Sequence, residues 1–308
     1  MERVERRLLR ASEVEFPVLS SAVQALLSAG GKRLRPAVAI LASQFYEAQP
    51  DKVISAASSV EMLHTATLVH DDMIDCANTR RGHPTLNSQW SGEATILTGD
   101  YMFAVSASLA AETDSVPVVR IFSDALMTIC NGELRQLLAD RQWPPTREGY
   151  DKRIYSKTAS LFAASAEAGA VLSAASTDQV QRIRAYGNNL GVAFQIVDDV
   201  LDYTGDPSEL GKPVGSDLRQ GIVTLPALLY MQAADGAAET LVRRAAEGQA
   251  DAVDKAVAAI VASGAAERAL AEAARFVRNA QDSLHGLPDG QSKRILNQLA
   301  DYVVARRI

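Results

Sequence analysis

Cysteine is nearly absent: Cys76 and Cys130 are the only two in 308 residues. Two thiols make no disulfide framework, and the expectation is a pair of buried or semi-buried reduced cysteines. Aromatic residues make up 6% of the chain, and no run of alternating β-branched residues bounded by turns stands out. That scarcity argues against a sheet architecture. No uninterrupted apolar run approaches the roughly 20 residues that span a bilayer. The opening MERVERRLLR lacks the apolar core of a signal peptide. A soluble, cytoplasmic protein without a transmembrane segment is therefore expected. Positive charge is in deficit, with a net charge of -6, which weighs against a nucleic-acid partner. Linkers and low-complexity stretches are also missing, so the reading is a single domain over residues 1–308.

What the chain does have is helical periodicity and abundant alanine, within a 47% hydrophobic composition. Prolines 36, 50, 117, 144, 145, 207 and 213 fall where helices would start or stop. The spacing predicts helices over 13–28, 35–48, 51–76, 87–112, 116–141, 147–174, 178–204, 222–234, 237–246, 250–263, 265–283 and 290–306. Several exceed 20 residues and are apolar over much of their circumference, as helices inside a large bundle are. The fold class is all-α, a single-domain bundle of about 10–13 helices. The stretch from Asp235 to Gly290 is Ala-rich, charged and free of motifs, and it reads as packing.

The chemistry concentrates in two acidic clusters. Asp71-Asp72-Met73-Ile74-Asp75 closes helix 51–76. At about 100° per residue Asp71 and Asp75 share a face one turn apart, Asp72 stands to one side, and His64 returns to the same stripe. Asp198-Asp199-Val200-Leu201-Asp202 repeats the spacing late in helix 178–204, with Gln195 one turn before Asp198. Three like charges on one turn, between apolar flanks and at the unfavourable end of the helix dipole, need a compensating cation. The oxygen-only donor set excludes zinc and copper, and no loop of alternating ligands supports an EF-hand. Mg²⁺ fits, because it takes one or two carboxylates, keeps waters and completes its shell with substrate phosphates.

Basic residues cluster separately. Gly30-Gly31-Lys32-Arg33-Leu34-Arg35-Pro36 is a glycine-opened loop with three cations, Arg80-Arg81-Gly82 is a second basic turn, and Lys157-Thr158 and Gly211-Lys212-Pro213 follow. Arginine forks and lysine point charges suit a diphosphate. Metal-bridged carboxylates for one diphosphate and a metal-free basic loop for another imply two diphosphate substrates.

With these motifs in order, the chain resembles a trans-isoprenyl diphosphate synthase of the bacterial polyprenyl synthetase type. The matching segments are GGKRLRP (30–36), EMLHTATLVHDDMID (61–75), RRGHPT (80–85), GD (99–100), KTASLF (157–162), FQIVDDVLD (194–202), GKPVGSDLRQG (211–221) and TLP (224–226). The resemblance implies a bundle around a deep central cavity, a homodimer, and three Mg²⁺ per active site. It implies that Asp71, Asp72, Asp75, Asp198 and Asp202 hold the metal ions, with Asp199 nearby. Arg80, Lys157 and Lys212 would contact the allylic diphosphate, and Lys32, Arg35, His64 and Arg81 the isopentenyl diphosphate. Thr158 and Gln195 would face the developing allylic cation. One departure stands out: the family pattern GKxTLP reads Gly221-Ile222-Val223-Thr224-Leu225-Pro226 here, so Ile222 occupies a lysine position.

The implied reaction is Mg²⁺-dependent, head-to-tail condensation of isopentenyl diphosphate with an allylic diphosphate, giving an all-trans polyprenyl diphosphate. The tail would grow along helix 51–76 past Thr67, Ala66 and Leu63. The first two are small, so a product of about C30–C40 is expected, with a C20 or farnesyl product as the alternative. Phe103, Met127 and Phe122 are candidates for the tunnel floor. Two other classes compete. A class I terpene cyclase carries a different second metal motif and has no use for GGKRLRP. A regulatory subunit of a heteromeric synthase tends to lose the aspartates, and all six are present here.

Overall fold

The structure, a computed structural model, describes residues 1–80, 82–138, 143–206, 213–233 and 236–306. Arg81, Lys212, Pro207 and Asp235, named above, lie outside the described residues. The chain divides into two compact units. The first comprises residues 1–127, 161–187 and 286–296, and the second 128–160, 188–285 and 297–308.

The first unit begins with α1 (Glu2–Ala11), α2 (Pro17–Ser28) and α3 (Leu34–Ser43), followed by α4 (Pro50–Ile74). Pro50 and Asp51 suit the first turn of α4, where the proline N–H is not needed and a carboxylate opposes the helix dipole. A two-stranded antiparallel hairpin follows, β1 (Thr79–Arg80) and β2 (His83–Pro84), with Arg80 opposite His83 and Gly82 at φ +77° in its turn. Then come the single-turn α5 (Leu86–Gln89) and α6 (Gly92–Ala111). Thr85 ties hairpin to helix: its hydroxyl donates to the Ala77 carbonyl at 2.6 Å and accepts from the Ser88 N–H at 3.2 Å. The core packs Val4 and Leu8 of α1, Val23 and Leu27 of α2, Ala39 of α3, Met62, Ala66 and Val69 of α4, and Met102 and Leu109 of α6. Gly99 lets α6 approach α4 closely, because a Cβ there would lie 2.2 Å from the His70 Nε2. The His70 ring sits in that gap, with Nε2 3.1 Å from the Ile96 carbonyl and its centroid 5.1 Å from that of Phe103 in a T-shaped pair. By length and composition α6 could cross a membrane, which modifies the expectation that no apolar stretch reaches that size. It carries Glu93 and Asp100 and buries its inner face against α4.

α7 (Val116–Leu138), α10 (Thr177–Thr204) and α16 (Gln291–Ala305) contribute residues to both units, and α9 (Ser160–Val171) belongs almost wholly to the first. The second unit contains α8 (Arg147–Ile154) and a five-residue π turn over Tyr155–Ala159. It continues with the short α11 (Ser216–Arg219), then α12 (Leu225–Ala233), α13 (Gly236–Ala246), α14 (Ala250–Ala262) and α15 (Ala265–Ser283). Its core draws Tyr150 and Ile154 from α8, Ile196 and Val200 from α10, Leu225 and Leu228 from α12, Val242 from α13, and Val253 and Ile260 from α14. The Ala-rich stretch after residue 235 does pack: Ala252, Ala256, Ala265, Ala269 and Ala273 are buried.

The all-α reading holds, with differences in detail. The charged opening segment forms α1, whose Val4 and Leu8, one turn apart, supply a narrow buried stripe. The predicted helix 87–112 is two helices broken at Trp90–Ser91, and 147–174 is interrupted by the π turn. The hairpin and α11 had no expectation. Both cysteines are exposed, not buried: Cys76 lies past the end of α4 at φ +51°, and Cys130 is on an open face of α7.

Candidate active site

Burial along α4 is asymmetric in a way that the acidic motif requires. From Ser55 to Leu63 every residue is buried. From His64 onward one stripe is partly open, formed by His64, Thr67, Leu68 and Asp71 and ending at exposed Asp75. These positions recur at three- and four-residue intervals on one face. The expected stripe of His64, Asp71 and Asp75 is therefore a solvent-accessible face of α4 beyond its buried middle. Asp75 is the C-cap residue, its N–H bonded to the Asp71 carbonyl at 2.8 Å.

Asp72 points elsewhere. It is 5% exposed and accepts from the Arg80 guanidinium, Nε to Oδ1, at 2.7 Å. The hairpin thus returns a cation to the end of α4, where the helix dipole and three carboxylates all call for one. Burial pushes the Asp72 carboxyl up and Arg80 pulls it down, leaving it above the usual range. Arg80, expected on the allylic diphosphate, and Asp72, expected on the metal, are paired with each other.

In the basic loop Gly30 takes φ +83°, and Arg33 takes the left-handed φ of +48° that non-glycine residues rarely adopt. Arg33 is anchored inward. Its guanidinium donates to Glu5 at 2.9 Å and to the buried Glu61 at 2.5 Å, and also reaches the Leu27 carbonyl. Lys32 is left exposed. The Arg35 guanidinium lies over the Phe162 ring, 4.6 Å from its centroid. Sequence reasoning counted three cations in this loop and missed that the middle one is structural.

The residues expected along the tail path differ in burial. Leu63 lines a narrow apolar crevice, with about 10 Å³ of free space, together with Ala56, Ser59 and Val60 of α4, Phe122 and Ala125 of α7, and Leu161, Ala164 and Ala168 of α9. Thr67 lies on the open stripe, its hydroxyl turned back to the His64 carbonyl at 2.8 Å. Ala66 packs in the other direction, fully buried beside Met62 and Val69. Of the floor candidates, Phe122 lines the crevice, Phe103 packs against His70, and Met127 is 61% exposed.

In the second unit the π turn carries Lys157 and Thr158. A π turn inserts a residue into the helical ladder, and such insertions often re-aim side chains at functional sites. Gly132 of α7 accommodates it, since a Cβ there would stand 2.4 Å from the Ser156 Cβ. Lys157 Nζ is 3.1 Å from Glu133. Thr158 is buried, and its hydroxyl donates to Gln195 Oε1 at 2.5 Å. Gln195 Nε2 in turn donates to Asp199 Oδ1 at 2.8 Å, and Tyr150 donates its hydroxyl to Asp199 Oδ2 at 2.7 Å. Burial pushes the Asp199 carboxyl up to about 7, and the Asp217 charge adds to this. The bonds from Gln195 and Tyr150 and the Arg153 charge oppose it.

The outer aspartates of this motif differ from each other. Asp198 is half-exposed and accepts from Arg306 at 2.7 Å. Arg306 also lies over the Phe194 ring at 3.9 Å and donates to the Phe194 carbonyl. Asp202 is 1% exposed, and its Oδ2 accepts from the Asp217 N–H at 3.0 Å. The sequence reading assigned no role to Tyr150, Arg33 or Arg306. The one usable signal for Tyr150 was its four-residue spacing to Ile154, which puts both on the buried face of α8.

Among the described residues no group of three or more His, Cys, Asp or Glu side chains gathers closely enough to hold a metal ion alone. Each motif instead offers accessible carboxylate oxygen at its outer residues, Asp71 and Asp75 in one and Asp198 in the other. Such open, all-oxygen donors fit Mg²⁺ completed by waters and phosphate oxygens, and they do not fit a closed zinc site.

Known proteins agree over the whole length. The sequence model of the polyprenyl synthetase family matches residues 16–263. The heptaprenyl diphosphate synthase component 2 of Geobacillus stearothermophilus is 37% identical over 303 residues, covering 98% of this chain and 94% of that protein. The crystal structure of heptaprenyl diphosphate synthase from Staphylococcus aureus superposes with a TM-score of 0.95 at 34% identity, covering 100% of this chain and 97% of that one. A polyprenyl synthase from Caulobacter crescentus CB15, crystallised with calcium and isoprenyl diphosphate, superposes with a TM-score of 0.93 at 35% identity, covering 99% and 94%.

Proposed function

Since this chain belongs to the polyprenyl synthetase family, we propose that it is a chain-elongating prenyltransferase, condensing isopentenyl diphosphate head-to-tail with an allylic diphosphate to an all-trans product of about C30–C40. The observation that carries the site is the pair of aspartate motifs, each at the end of a long helix, with Asp71 and Asp75 accessible in the first and Asp198 in the second. The relatives' names, heptaprenyl diphosphate synthases among them, support a medium-to-long product.

The roles follow from the chemistry of each side chain. Asp71, Asp75 and Asp198 would hold Mg²⁺, with Asp72 and Asp202 behind them. Mg²⁺ held by these carboxylates would supply Lewis-acid stabilisation of leaving-group charge, the largest part of the barrier. Arg80 would exchange its bond to Asp72 for the diphosphate, and Lys157 would exchange Glu133 likewise. Lys212 and Arg81 extend the same reading to the allylic and isopentenyl diphosphates. Lys32, Arg35 and His64 would bind isopentenyl diphosphate, whose double bond is the nucleophile. Holding both substrates together contributes proximity. Thr158 and Gln195 would turn oxygen lone pairs toward the allylic cation in a site from which water is excluded. The released diphosphate would accept the proton lost from the isopentenyl carbon next to the cation, whose C–H electrons become the product's new double bond.

We read residues 1–308 as one functional domain and the protein as a homodimer. In the first unit Ile96 and Leu97 of α6 and Val116, Val119 and Met127 of α7 are large apolar side chains left exposed, as an interface requires.

The test uses the purified chain alone with isopentenyl and farnesyl diphosphates, with Mg²⁺ or with EDTA, and mass spectrometry of the products. Elongation to about C30–C40 that EDTA abolishes is expected. Activity arising only on addition of a second protein would assign the chain to a heteromeric synthase instead.

A further inference from the structure

The buried end of the second aspartate motif holds a relay that the metal does not need. Asp199 is 3% exposed, and both its carboxylate oxygens are taken: Oδ2 by the Tyr150 hydroxyl at 2.7 Å and Oδ1 by Gln195 Nε2 at 2.8 Å. Asp199 accepts at both oxygens. Of the two ends of the Gln195 amide, Asp199 therefore selects the NH₂, and the carbonyl oxygen faces away, toward Thr158. Thr158 spends its only hydroxyl proton on that oxygen at 2.5 Å, so its own lone pairs point outward. Both groups then present partial negative charge. A flipped amide would present partial positive charge to a cation.

Tyr150 holds the far end of this chain. It is 2% exposed on α8, packed in the core with Ile154, and the Arg153 guanidinium lies 5.5 Å from its ring centroid. Its hydroxyl reaches no substrate-accessible surface; it reaches Asp199. We propose that Tyr150 is a positioning residue for the condensation: by fixing Asp199 it fixes the direction of the Gln195 amide dipole, and so the sign of the charge offered to the allylic cation. This rests on the reading above that Gln195 and Thr158 face that cation.

Tyr150→Phe keeps the ring in its packing and removes only the donor. The expected result is a fall of about tenfold in kcat, the size of one lost hydrogen bond to a charged group, with KM for both diphosphates within about twofold of wild type. In a Gln195→Ala background the same substitution is expected to change kcat by less than about twofold, because the residue it acts through is gone. Asp199→Asn, which frees the amide to turn, carries the same test if Tyr150→Phe folds poorly, and should reproduce the kcat loss at unchanged KM. Equal kcat losses in the two backgrounds, or a lowered Tm with kcat intact, overturn the proposal. A wild-type chain that elongates nothing overturns the enzymatic reading together with it, whereas elongation with unaffected Tyr150→Phe turnover overturns the relay alone.

Discussion

Replacing Ala56 by phenylalanine should shorten the product to about four or five isoprene units. Ala56 is 2% exposed and lines the apolar crevice with Leu63 and Ala168. Along α4 the distance back from Asp71 is about 12 Å to Leu63 and about 22 Å to Ala56, at about 1.5 Å per residue. One isoprene unit advances about 5 Å, from four carbon–carbon bonds of about 1.5 Å foreshortened by their zigzag. A tail growing from Asp71 thus meets Leu63 after two to three units and Ala56 after four to five, where a phenyl ring would fill the path. The cost in stability is about 1–3 kcal/mol for overpacking. Thr67→Phe, one turn from Asp71 and about 6 Å along the helix, calibrates the ruler and should stop the product at about one to three units. The assay extends farnesyl diphosphate, and geranyl diphosphate for the shorter variant, with labelled isopentenyl diphosphate and reads chain length by mass spectrometry. An Ala56→Phe product as long as the wild-type product would refute the path along α4, as would a Thr67→Phe product no shorter than that of Ala56→Phe.

Arg33→Ala leaves Glu61, 4% exposed, without its ion pair. It should cost about 3 kcal/mol, read as a fall in Tm, and an unchanged Tm would contradict the structural role of Arg33. Ile222→Lys restores the cation of the family pattern, which the proposed site would put beside the allylic diphosphate. It should lower KM for the allylic substrate, and an unchanged or raised value would count against that placement.

The parts of this protein that could be read in its sequence are those where one periodicity decides the outcome. The stripe His64–Asp71–Asp75 follows from helical geometry alone, and α4 leaves that face open. The long apolar helices around it were legible for the same reason. What escaped depends on partners that lie outside the motifs themselves. Nothing within the DDMID stretch separates Asp72 from Asp71; the hairpin does so by delivering Arg80. Likewise DDVLD gives no sign that Asp199 is enclosed by Tyr150 and Gln195 while Asp198 stays accessible. Ala66 and Thr67 are both small neighbours, yet one packs against Met62 and the other lies on the open stripe, a difference of about 100° in helical phase. The π turn at Tyr155–Ala159 has no periodic signature, because one inserted residue disturbs the pattern too briefly to register.

Two aspartate motifs acting on a single departing diphosphate is the claim from which the rest follows, and a double-mutant cycle on turnover addresses it most directly. Asp71→Ala and Asp198→Ala are each expected to lower kcat by about two orders of magnitude or more with the fold intact by circular dichroism. The double variant should be little worse than either single one, since groups that act as a unit on the same leaving group are not additive. Near-normal turnover in either single variant, or losses that multiply in the double, would contradict it.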